Sequence, residues 1–232
     1  MPHPSSRIRD ISPPVHEGAP VFPGDTPYRQ RWAASIGPDC PVNVGEITLS
    51  PHVGAHADAP LHYDPHGAAI GAVDLAPFLG RCRVIHAIGR GPLVEWAHLA
   101  HALDDLPPRV LVRTRERACV DRWDPELVAF APDTIERLAA HGVLLVGIDS
   151  ASIDPADSKT LDSHQAIRRL DLRVLENLVL DEVPEGDYEL IALPLRLTSA
   201  DASPVRAVLR DLPPAAGGGG RQVAPHRADR GG

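Results

Sequence analysis

The chain has 232 residues, 43% of them hydrophobic and 23% charged, which is ordinary globular usage and enough for a sizeable core. Its net charge of −8 argues against nucleic acid or an anionic membrane surface as a partner. With no apolar run of about 18 residues, no signal-peptide pattern at the start and three scattered cysteines (Cys40, Cys82, Cys119), a cytoplasmic protein is expected.

Taken in order, Phe22 stands beside a Pro23-Gly24 turn, which by itself suits a core aromatic. Four of the 12 histidines then fall between His52 and His66. Short apolar runs at Arg83 to Ile88, Arg109 to Arg113, Val143 to Ile148 and Glu189 to Leu193 predict strands, the third buried on both faces. Leu93 to Leu103 suits a short helix. A second helix is predicted over Thr134 to His141, capped by Asp133, with Glu136 at the capping-box position and Gly142 as its stop. Gln165 to Leu180 is helical in composition. After Pro213-Pro214 come four consecutive glycines, Gly217 to Gly220, and a polar end. One domain over residues 1–214 and a disordered Gly-rich tail over 215–232 are expected. Strands outnumber helices but the two are mixed, so the fold class is mixed, α/β or α+β.

The segment His52-Val53-Gly54-Ala55-His56-Ala57-Asp58-Ala59-Pro60-Leu61-His62 carries the clearest chemistry. Gly54 and Pro60 disfavour a helix. In an extended chain, His52, His56, Asp58 and His62 fall on one side, given a bend at Gly54 and an exit fixed by Pro60. A single histidine of this kind is ordinary in a polar loop or a core. Four aligned groups suit a divalent cation. They could close a structural site, but a chain with its own core needs no metal staple. A catalytic site is favoured, with one group left over for proton transfer. Farther on, His164 and Glu176 read as a helix-end histidine and a helical carboxylate. On one straight helix they would lie about 18 Å apart, so sharing a site needs a break near Asp171. Ser150 follows a strand, but no G-x-S-x-G elbow surrounds it.

The pattern His52-x-Gly54-x-His56-x-Asp58-x-Pro60-x-His62 resembles the signature of the metal-dependent cyclase family. The stretches Asp154 to His164 and Leu180 to Leu195 are similar to its formamidase branch, and Phe22 to Pro27 resembles a third family block. The resemblance implies the family's swivelling β/β/α fold, a homodimer and two divalent ions per subunit, usually zinc. His52, His56 and Asp58 would hold the first ion. Asp58 and Glu176 would bridge to the second, which His164 completes. His62 would act as general acid/base, and Phe22 would contact an aromatic small-molecule substrate. The implied reaction is hydrolysis of N-formylkynurenine to kynurenine and formate. An isatin-type amide hydrolase and a non-catalytic metal-binding protein are the alternatives. Two departures stand out: Ala55 replaces the family's usual Thr, and Phe22 its usual Trp.

Overall fold

Apolar runs too short for helices become the interior strands of the computed structural model, which describes residues 7–213. The first elements are β1 (Ile8–Asp10), β2 (Arg29–Ala34), β3 (Val44–Thr48), β4 (His56–Asp58) and the one-turn α1 (Pro60–Tyr63). Then come β5 (Leu79–His86), β6 (Leu93–Val94), α2 (Trp96–Leu99), β7 (Arg109–Arg113), β8 (Ala129–Phe130) and α3 (Pro132–Ala140). The chain continues through β9 (Leu145–Ile148), α4 (Asp162–Arg169), β10 (Arg173–Glu176), β11 (Gly186–Ile191), β12 (Ala202–Pro204) and β13 (Val208–Asp211). The expected tail, 215–232, lies outside the described residues.

Nine strands form one sheet in the order β1-β13-β11-β5-β7-β9-β10-β4-β12. The interior strands β5, β7, β9 and β10 are parallel, and antiparallel strands extend the sheet on either side. A parallel centre has to be covered on both faces, and successive residues divide accordingly. Val84, Leu111, Leu145 and Leu175 enter one core; Ile85, Val110, Val146 and Val174 enter the other. The second core is closed by α3 and α4 through Ile135, Leu138, Ala166 and Ile167. The first holds both Ala57 of β4 and Leu209 of β13, from opposite ends of the sheet, so the sheet curls around it. This is the mixed α/β class with a curled, mixed sheet.

The predicted strands all form, with ends shifted by up to four residues. The second predicted helix begins earlier, at Pro132. Ala131 occupies the cap position without a side-chain bond, and Asp133 lies inside the first turn. Proline can open a helix because its missing N–H would have had no partner there. The run from Leu93 starts as strand β6, and its α-helix is confined to Trp96–Leu99.

The largest difference falls on Gln165 to Leu180. Helix α4 ends at Arg169, Asp171 turns the chain at φ 51°, and Arg173–Glu176 is a buried strand between β9 and β4. Glu176 is therefore a strand carboxylate, not a helical one. Pairing on both edges and burial outweigh helical composition here.

The loop after α1 folds back against it, and Gly67 makes the approach possible. A Cβ there would sit 2.3 Å from the Pro60 carbonyl carbon. Gly67→Ala is expected to cost about 1–3 kcal/mol, because backbone cannot yield as a side-chain tip can. Thermal melting checks it, and an unchanged Tm would count against this packing.

Candidate metal centre

His56 and Asp58 alternate on β4 and so share one face. In the pairing of β4 with β10, His56 stands opposite Glu176. His56 Nε2 thereby comes 3.3 Å from Glu176 Oε2 and 3.5 Å from Asp58 Oδ1. His52 arrives from the turn ahead of β4, where Gly54 adopts φ +71°, and sets Nδ1 3.1 Å from the same Asp58 Oδ1. His164, the third residue of α4, directs Nε2 to Asp58 Oδ2 at 3.3 Å and Glu176 Oε1 at 3.6 Å. Each carboxylate thus turns one oxygen toward His56 and the other toward His164.

Outer hydrogen bonds select the ring nitrogen that faces inward. His56 Nδ1–H donates to the Gly54 carbonyl at 2.9 Å, and His164 Nδ1–H donates to Asp154 Oδ2 at 2.7 Å. Asp154 also accepts the backbone N–H groups of Ser163 and His164, so one carboxylate caps α4 and aims its imidazole. The Ile153 N–H steadies Glu176 Oε1 at 2.7 Å. His52 Nε2–H donates to Asp201 Oδ2 at 3.0 Å. Such partners tune ligand basicity and orientation. Asp154→Asn is therefore expected to weaken divalent-cation binding about 10–100-fold, as read by competition with a chelator. Unchanged affinity would reduce Asp154 to a helix cap.

His56 Nε2 and Asp58 Oδ1 are buried, and the groups 3.1–3.5 Å from them lie outside good hydrogen-bond geometry, an arrangement that is costly unless something fills the space between them. The charges point the same way. Burial opposes protonation of His52, yet the Asp58 and Asp201 carboxylates beside it push it up to about 9. Burial is likewise outweighed at His164, which Asp154 and Asp58 push up to about 10. Burial raises the Asp58 carboxyl, but the His164 and His52 imidazoles beside it hold it well below the usual carboxylate range. A cluster that draws protons this strongly lacks positive charge. A divalent cation would supply it and displace the protons, and mixed imidazole and carboxylate donors suit such an ion.

His62 is placed differently from the expected extended row. Pro60 starts α1, and His62 is the third residue of that single turn. Its Nδ1–H donates to Asp201 Oδ2 at 3.3 Å, and its side chain is 30% exposed. The ring still lies 5.7 Å from that of His164. Asp201 precedes β12, whose pairing with β4 delivers it to both His52 and His62.

The seven residues singled out from the sequence therefore converge on one cavity of about 560 Å³; Asp58, at the centre of the imidazoles, contributes from beneath its lining. Phe22 is 37% exposed on the wall, its ring 4.8 Å from Trp123 in an edge-to-face contact. It is not a core residue. Ala55 instead packs into the apolar core. Ser150 Oγ has no hydrogen-bond partner, so no Ser–His pair forms there. Sequence reasoning missed Asp154, Asp201 and Trp123. Asp154 lay within the block quoted with His164, but eight residues ahead of α4 it carried no capping signal. Asp201 carried no signal either, since its imidazole partners lie 149 and 139 residues away.

Residues 9–155 match a family model described as "Putative cyclase". The kynurenine formamidase of Paracidovorax citrulli is 76% identical, covering 87% of this chain and 95% of its own. That of Bordetella pertussis is 71% identical over 89% and 99%. A solved structure described as a "potential metal-dependent hydrolase with cyclase activity" superposes with a TM-score of 0.78 at 27% identity, over 90% of this chain and 100% of its own. An isatin hydrolase bound to the product analogue thioisatinate shares the fold at TM-score 0.75 and 20% identity, over 89% and 92%.

Proposed function

Since the chain belongs to the cyclase family, among its kynurenine formamidases, we propose that it is a metal-dependent arylformamidase hydrolysing N-formyl-L-kynurenine to L-kynurenine and formate in tryptophan breakdown. The observation that carries this reading is the pair of buried carboxylates, Asp58 and Glu176, each dividing its oxygens between imidazoles on the floor of an aromatic-walled cavity.

His52, His56 and Asp58 would hold one cation, and Asp58, Glu176 and His164 a second; zinc suits this donor set. When bound, such ions polarise a carbonyl and acidify water near neutral pH. The residues supply the rest. Phe22 and Trp123 offer ring faces and edges to the substrate's aryl group. His62 presents Nε2 to the cavity because Nδ1 is engaged by Asp201. It takes the proton of the attacking water as the new C–O bond forms at the formyl carbon. It returns that proton to the aryl nitrogen as the C–N bond breaks, releasing formate and an aryl amine. Asp201 keeps His62 in the required tautomer, a positioning role.

A homodimer is the proposed assembly. The β2–β3 hairpin supports it, with Trp32 57%, Ile47 56% and Val44 47% exposed, because an isolated two-stranded hairpin gains little stability in water. Sedimentation should give twice the chain mass. A cytoplasmic location fits the three free cysteines.

The decisive experiment is formylkynurenine hydrolysis before and after chelation, with metal content measured in parallel. Activity should vanish with the metal and return with zinc. Full turnover by metal-free protein would overturn the reading.

A further inference from the structure

Two arginines and a lysine line the cavity: Arg115, Arg122 and Lys159. Arg115 is engaged, pairing with Asp124 and donating to the Glu126 carbonyl. Arg122 and Lys159 are exposed, and among the described residues neither forms an ion pair or a side-chain hydrogen bond. Lys159 is the one lysine of a chain whose net charge is −8. Both positions are set by their surroundings. Arg122 adjoins Trp123 in the chain, and both line the cavity. Lys159 stands on the loop between β9 and α4, the loop that also carries Asp154.

The substrate's own chemistry fits this layout. A formamide on the cavity floor and an aryl ring against Phe22 and Trp123 leave the α-amino-acid end directed at the rim. A carboxylate arriving there needs a cation, and the imidazoles below are occupied by Asp58, Asp154, Asp201 and Glu176. We infer that Arg122 and Lys159 form a carboxylate subsite, which selects formanilides bearing an α-amino-acid chain over those without one. Arg122 offers a planar fork able to take both carboxylate oxygens, and Lys159 a mobile point charge. The inference rests on the formamidase reading and extends it to specificity.

The test compares kcat/KM for N-formylkynurenine with that for 2′-formamidoacetophenone, which keeps the formamide, ring and ketone but lacks the amino-acid end. The wild type should prefer formylkynurenine. Arg122→Ala and Lys159→Ala should each reduce that preference about tenfold, through KM for formylkynurenine rather than kcat. Lys159→Arg should restore most of it. Equal kcat/KM for both substrates in the wild type, or variants that slow both by one factor, would overturn the subsite. Metal-loaded wild type that hydrolyses neither substrate would sink the formamidase reading, and the subsite with it.

Discussion

Asp58→Ala should leave the protein without bound metal and without measurable turnover. The substitution removes both oxygens that face His52, His56 and His164, so it strips a shared donor from each half of the centre. Losing even an outer partner of a ligand costs about 10–100-fold in affinity, so losing a donor common to both halves should exceed 100-fold. Elemental analysis and the formylkynurenine assay read the two effects together, and full metal content in the variant would reverse the assignment. The metal-free wild type adds an independent check through pH. His52 and His164 are raised in the fold to about 9 and about 10. Their contribution to stability is complete below the ordinary imidazole value of about 6.5 and is lost as pH rises through the raised values. Without metal, Tm should therefore fall between about pH 6.5 and pH 10. With metal bound in place of those protons, the decline should be much smaller. A flat profile without metal would show that the imidazoles do not hold protons in the fold.

His62→Ala should behave in the opposite way, keeping its metal while losing kcat by about 10²–10⁴-fold, the usual range for a positioned acid/base. The distinction follows from geometry. The centre is buried, whereas His62 is 30% exposed on its own short helix and bonds to Asp201. Exposure also makes rescue feasible, and added imidazole should recover part of the lost rate. Normal turnover would remove His62 from the chemistry. Loss of metal would instead make it a ligand, an alternative with a physical basis because its ring nitrogen lies within 4.8 Å of donor atoms of Asp58 and His164.

Much of this centre could be read along the chain, and the readable parts share a cause. His56 and Asp58 face one way because a strand repeats every two residues, a local rule. Glycine at position 54 announced a bend, and it adopts φ +71°. The short apolar runs announced strands, the one at Val143 to Ile148 buried on both faces, and residues 109–113 and 145–148 are buried strands. Asp171 marked the break between His164 and Glu176. What followed the break was misjudged, because composition within Gln165 to Leu180 favours helix while pairing with β4 and β9 imposes strand.

Sequence alone thus determined the class of fold, the family resemblance and the nucleus of donors on one short segment, since each depends on neighbours within a few residues. Tertiary structure alone decided that Glu176 faces His56 across two strands and that Asp154 and Asp201 orient the imidazoles. It also decided that His62 leaves the row on a helical turn. Those contacts join residues that are mostly 100 or more positions apart, and they arise from strand register and from the curl of the sheet, which no local spacing encodes.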